Sequence, residues 1–233
     1  MTVPFRGAKR AILNSLIMRK LTLFGAIALL TSGAAVLAQD IARAPTEAWI
    51  IGPIIRGKNY SVGMPLHPTP ARAGWSFEFP YPDVRAGHVH YVTSGSGSLA
   101  GKSRIVMRYR IDGARGVRFV PREYPQFPAT VSLFFQRSGD SWSAKRHEHH
   151  RWWSPDASMK ELAPGVYEMR VSLSDPNWVP VMSGNAAGNP QAFRDALLNA
   201  ERVGLVFGSN GGRGHGVYAT APARFTLLSY RVE

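Results

Sequence analysis

Four of the six tryptophans, Trp142, Trp152, Trp153 and Trp178, fall in one stretch of chain together with Asp140, Arg146, Arg151 and Asn177. An indole offers a flat apolar face, while guanidinium, carboxamide and carboxylate groups are planar and hydrogen-bond in pairs. A pyranose has the complementary surface, with apolar C–H faces to stack and equatorial hydroxyls to bind. Trp142, Arg151, Trp152, Trp153, Asn177 and Trp178 are therefore the candidate ligand-binding residues, and a polysaccharide or envelope glycan is the candidate partner. The same rings also suit a buried core, where large aromatics ordinarily sit. Trp152 and Trp153 must part ways, because consecutive side chains on a strand point to opposite faces.

His88-Val89-His90 would place two imidazoles on one face of a strand. This HxH resembles the first metal motif of the cupins, which implies a metal-dependent enzyme on a β-structured fold. The chain departs from that pattern twice: Ser94 stands where a glutamate belongs, and Ala219 where an asparagine should follow His215. The pair is read as polar side chains on a solvated face. His147-Glu148-His149-His150 lacks the HExxH spacing of a helical zinc site. On a strand, His147 and His149 would face away from Glu148, His150 and Trp152, as on a charged, exposed edge. No metal and no other cofactor is expected.

Catalytic signatures are missing. The 15 carboxylates form no recognisable pair of the kind a glycosidase holds about 5–10 Å apart across its cleft. Gly95-Ser96-Gly97-Ser98 reads as a turn rather than a nucleophile elbow. The glycine-rich run 208–216 joins two strands and opens no helix, which argues against a phosphate cradle. With no cysteine there is no disulfide framework, thiolate metal site or cysteine nucleophile.

The chain carries 28 Lys+Arg against 15 Asp+Glu; five of the basic residues and none of the acids precede residue 39. The remainder holds 23 against 15, a net +8, and only four of the 23 are lysines: Lys58, Lys102, Lys145 and Lys160. They are scattered, without the clustered basic stripe of a nucleic-acid binder, so nucleic acid is not an expected partner. The excess fits a solvated surface, and it suits acidic glycans or an anionic envelope.

Strands are the elements that must position these residues. Ser103 to Ile111 alternates, with Ile105, Met107, Tyr109 and Ile111 on one face and Arg104, Arg108 and Arg110 among those opposite. Val166 to Leu173 does the same, with Tyr167, Met169, Val171 and Leu173 against Glu168, Arg170 and Ser172. Further strands are expected at 49–55, 75–79, 88–93, 117–120, 130–137, 147–153, 203–207 and 223–232, separated by turns such as Asp112-Gly113 and Ser138-Gly139-Asp140. Asn189-Pro190 opens the one expected helix, carrying Phe193, Leu197 and Leu198 toward Glu201. About ten short strands and one short helix near 190–201 predict an all-β, two-sheet antiparallel sandwich of jelly-roll type.

The C-terminal runs Val203-Gly-Leu-Val-Phe-Gly, Gly214-His-Gly-Val and Ala223-Arg-Phe-Thr-Leu-Leu-Ser-Tyr resemble the closing strands of galactose-binding-like jelly rolls. Such domains occur as carbohydrate-binding modules and as accessory domains of secreted bacterial proteins. The resemblance implies the fold and, more loosely, a binding module. Three functions follow: a non-catalytic exported binding module for a glycan, an envelope structural or protein-interaction domain using a sheet face or the 59–74 loop, and a cupin-like metal-dependent enzyme. The first is favoured.

Export is read from residues 1–38. Arg6, Lys9, Arg10, Arg19 and Lys20 precede an apolar run, Leu21 to Ala38, which ends Val36-Leu37-Ala38 before Gln39. A basic start, an apolar middle and small residues at −3 and −1 make a secretory signal peptide. Met18-Arg19-Lys20 would open a signal of more usual length. A retained anchor is the competing reading, since the run sits at the lower edge of a membrane span. The expected organisation is a signal peptide at 1–38 and a β-sandwich domain at 39–233, periplasmic or extracellular. N-terminal sequencing of the exported protein should begin at Gln39; full-length chain recovered from membranes would establish the anchor instead.

Overall fold

Alternation becomes burial in the two strands that show it most clearly. In the computed structural model, which describes residues 39–233, Arg104–Gly113 and Gly165–Ser172 pair antiparallel in one unbroken register from Ser172↔Arg104 to Gly165↔Ile111. Ile105, Met107, Tyr109, Ile111, Met169 and Val171 are buried, while Arg104, Arg108, Arg110, Glu168 and Arg170 are exposed. Residues 1–38, on which the export reading falls, lie outside the described residues.

Arg104–Gly113 is flanked on its other edge by Ala223–Val232, followed by Trp75–Glu78 and the short Thr69–Pro70. Opposite this sheet lies a second, in the order Val179–Pro180, Arg151–Trp153, Thr130–Arg137, Ala200–Gly208, Tyr91–Gly95 and Trp49–Gly52. The pairing is antiparallel throughout. The described residues thus form an all-β sandwich with one α-helix, as their periodicity implies.

The core between the sheets is rich in rings. Phe225 stacks between Phe77 and Tyr109 at centroid distances of 5.2 and 5.1 Å, and Trp49 meets Trp75 edge-on at 4.9 Å. A bulge between Leu227 and Ser229 shifts the alternation of the final strand. Phe225 and Leu227 point inward before it, and Tyr230 and Val232 still point inward after it.

Several expected elements are shorter or differently placed. Trp49–Gly52 stops at Pro53, which has no N–H to give a ladder. Ile54–Ile55 turns back through Arg56-Gly57 to pair with Lys58–Asn59 as a separate hairpin. The expected strand at 147–153 keeps only Arg151–Trp153; residues 147–150 form a turn closed by the His150 N–H on the His147 carbonyl at 3.1 Å. The helix spans Pro190–Leu198 and ends before Glu201, because Ala200 already belongs to a strand. Its buried face is Phe193 and Ala196, with Leu197 half-buried, whereas Leu198 is 58% exposed. Phe193 packs on Trp152, Phe135 and Trp178 at 4.9, 5.8 and 6.2 Å.

Neighbours on one strand should therefore respond very differently to truncation. Met169→Ala removes a buried side chain and should cost about 2–5 kcal/mol in denaturant unfolding. Arg170→Ala removes a surface partner of Glu168 and should cost less than about 1 kcal/mol. Equal costs at the two positions would contradict this register.

Candidate functional site

The second sheet has two apolar faces. Toward the sandwich interior it presents Val131, Leu133, Phe135, Trp152, Val203 and Leu205, and outward it presents Tyr91, Phe134 and Val206, a separate small cluster. Trp142 and Trp153 lie half-buried against that outer cluster, from opposite directions of the chain. Trp153 is there by register, as the cross-strand partner of Phe134. Trp142 arrives from the loop after Thr130–Arg137 and meets Tyr91 edge-on at 4.9 Å.

Asp140 holds Trp142 in place. Its carboxylate is fully buried and accepts from the Trp142 backbone N–H at 2.8 Å, from Gln136 Nε2 at 2.8 Å and from Arg151 Nε at 2.9 Å. The first of these is an Asx turn, a local reason for aspartate at this position. Trp142 takes a left-handed backbone, with φ 64°, a conformation that costs a residue with a β-carbon about 1–2 kcal/mol. The Arg151 guanidinium lies over the Trp142 ring at 4.4 Å, so the ion pair also braces the indole. Trp153 is flanked in the same manner by Arg213, whose guanidinium donates to the Ser154 carbonyl and to Asp156.

Beside Trp142 opens a cleft of about 890 Å³ between the 54–59 hairpin and the loop 140–146. Arg56, Lys58, Tyr60, Trp142, Arg146 and Arg202 supply most of its functional groups, and Asp140 is its one carboxylate.

The six candidate residues fall into three groups. Trp142 lines the cleft, and Arg151 and Trp153 share its sheet face. Arg151 is 5% exposed and committed to Asp140, so it positions Trp142 rather than reaching a hydroxyl. Trp152 and Trp178 are wholly buried, which corrects the expectation that they offer stacking faces; their indole N–H groups donate to the carbonyls of His149 and Ser172 at 2.8 Å each. Asn177 is exposed but stands apart, in a pocket of about 390 Å³ with Asp156, Asp175 and Asn185. Reading by sequence neighbourhood missed Arg56, Lys58 and Arg202, which come from distant segments. Arg56-Gly57 between two short apolar and polar pairs was the available signal of a hairpin tip.

The histidines are also placed differently. His88 and His90 are buried, 7% and 6% exposed, which corrects their reading as solvated side chains. The strand proper begins at Tyr91; before it, Val89 makes a single bridge to Val217, which draws the Gly214–Gly216 turn over both rings. A β-carbon on Gly216 would stand 2.8 Å from His90 Nε2, so only glycine permits this approach. His90 Nδ1 bonds the Gly214 carbonyl at 2.7 Å. His147 and His150 stack on each other at 4.4 Å, and His149 lies against Trp152. Among the described residues, no three His, Asp or Glu side chains gather as a metal site.

No protein-family model and no curated protein matches the chain. Among solved structures it is similar to a carbohydrate-binding module of family 28 specific for non-crystalline cellulose, at 14% identity and a TM-score of 0.44, over 86% of this chain and 95% of that one. It is also similar to the L4b domain of human laminin alpha-2, at 10% identity and a TM-score of 0.40, over 82% and 94%. A third similar structure is a xylanase mutant from Cellvibrio japonicus in complex with xylopentaose, at 12% identity and a TM-score of 0.36, over 82% of this chain and 28% of that one.

The buried histidines make stability depend on pH. Burial drives His90 from 6.5 down to about 4, against the Gly214 carbonyl, and His88, Arg122 and His215 add to the shift. Burial, then Arg122, also holds His88 below its ordinary value. Because the folded values are depressed, the unfolded chain takes up protons first. Stability is complete above about pH 6.5 and is lost as pH falls toward about 4, by on the order of 3 kcal/mol for His90. Urea midpoints should fall across that window, and His90→Gln should flatten the fall; a wild-type midpoint unchanged between about pH 7 and about pH 4.5 would place the imidazoles in solvent.

Proposed function

We propose that this protein is an exported, non-catalytic binding module that holds a polysaccharide in the cleft beside Trp142. The observation that carries this reading is the fixed, half-exposed Trp142 ring, set on a left-handed backbone and braced by the buried Asp140–Arg151 pair at a cleft wall. A ring already immobilised loses little freedom when a sugar stacks on it, so more of the contact appears as affinity. Binding without cleavage is supported by the carboxylates: hydrolysis of a glycosidic bond ordinarily uses two, and the cleft's one is buried and paired. Export, to the periplasm or the exterior of the cell, is supported by the basic, apolar and small-residue zones of residues 1–38.

A second reading, a protein-interaction domain, draws on the 59–74 loop, where Tyr60, Val62 and Leu66 are 40%, 46% and 46% exposed. Affinity electrophoresis through gels containing polysaccharides tests the first reading. Trp142→Ala should weaken retardation by about tenfold or more, as loss of one aromatic anchor does, with the thermal transition retained. Retardation that survives Trp142→Ala but is lost in Leu66→Glu would favour the second reading. A wild-type protein that no polysaccharide retards would end the first.

A further inference from the structure

We infer that the ligand of the Trp142 cleft is an acidic polysaccharide, one whose sugar units carry carboxylates; this rests on the reading of that cleft as a glycan site. Four cationic side chains line it, Arg56, Lys58, Arg146 and Arg202, against the single carboxylate of Asp140. That carboxylate is fully buried and already answered by Arg151 at 2.9 Å, so it neutralises none of the four. Among the described residues Arg56, Lys58 and Arg146 have no ion-pair partner, and Arg202 meets only Glu201, at 3.6 Å. The outer face of the opposite sheet is arranged differently. There Arg104, Arg110, Arg170, Arg224 and Arg231 each sit within salt-bridge distance of an acid, while among the described residues Arg108 does not.

Collecting unpaired like charges around one concavity costs stability by repulsion and raises the local concentration of anions. The backbone concentrates strain there as well. Only three described residues other than glycine have positive φ, and two of them, Arg56 at 51° and Trp142 at 64°, line this cleft. Arg56 stands at the first central position of a two-residue hairpin turn, where Asn, Asp or Gly is ordinarily preferred, and carries its charge on the turn itself. Strained positions of this kind gather where a site over-determines them. The parts are complementary to a polyuronate: an indole face for the apolar side of a ring, and guanidinium groups that donate two hydrogen bonds at a time to a carboxylate. A polymer would engage several cations at once, each contact weak and the sum strong.

Titration of the purified protein with polygalacturonate and with the same polymer after its carboxylates are reduced to hydroxymethyl groups tests this. The acidic polymer should bind roughly tenfold or more tightly, with the advantage shrinking as salt rises, because exposed charges are screened within about a Debye length. Arg56→Gln with Lys58→Gln should weaken acidic binding by about tenfold with the unfolding midpoint unchanged, and Arg110→Gln, on the opposite sheet, should not. Equal, Trp142-dependent binding of both polymers would overturn the acidic assignment and leave the glycan reading standing. Binding of neither polymer, nor of any other polysaccharide, would remove both. Oligo-thymidylate or anionic lipid vesicles bound as tightly as polygalacturonate would overturn the assignment in favour of a general polyanion surface.

Discussion

A carboxylate withdrawn completely from water has to be answered by donors from the protein, and Asp140 is answered by three that come from three different places. Gln136 belongs to a central strand of the second sheet, Arg151 to the next strand, and the Trp142 N–H to the loop between them. The ion pair therefore ties a long surface loop to the sheet it crosses and dictates the conformation of Trp142. Replacing Arg151 would leave the buried Asp140 charge without its counter-ion, a change that typically costs about 3–5 kcal/mol. The strain at Trp142 is smaller than that, so the loop keeps its shape.

The second sheet also has to satisfy apolar demand on both sides. Phe135 pairs with Trp152 toward the interior, and one residue along, Phe134 pairs with Trp153 toward the outside. Two aromatic pairs in adjacent register positions thus face opposite ways on the same two strands. The inner pair joins the large core under the helix. Among the described residues the outer pair has no second sheet above it, and Trp142 packs against the same cluster. A half-buried ring on an outward face is held firmly and still presents an edge or a face to solvent, which is what ring stacking with a ligand requires.

Glycines decide how closely the remaining loops approach this frame. A β-carbon at Gly204 would stand 2.1 Å from the Val92 carbonyl oxygen, and one at Gly214 would meet the Tyr91 hydroxyl at 2.2 Å. The run from Gly208 to Gly216 is thus packing chemistry for the edge of the sheet and the cover of His88 and His90. Its composition resembles a flexible or anion-cradling loop, yet its glycines are there because neighbouring rings and carbonyls leave no room for side chains.

Alternation along 104–113 and 165–172 was enough to determine those strands and their inward residues, and with the shorter runs at 130–137 and 223–232 the class of fold, because period-2 burial is a local property of the chain. The absence of cysteine was equally legible. Which tryptophans reach the surface was not. Alternation assigns Trp152 and Trp153 to opposite faces without saying which face meets the other sheet, and Trp178 is buried by a helix that follows it by more than a turn of chain. Burial of His88 and His90 depends on a turn more than 120 residues downstream, as the His90–Gly214 bond shows by its separation of 124 residues. The cleft brings together residues near 56, 142 and 202, so its charge is a sum over segments that no window of sequence contains. Only the pairing of the strands makes them neighbours, since side chains distant along the chain meet through packing and not through spacing.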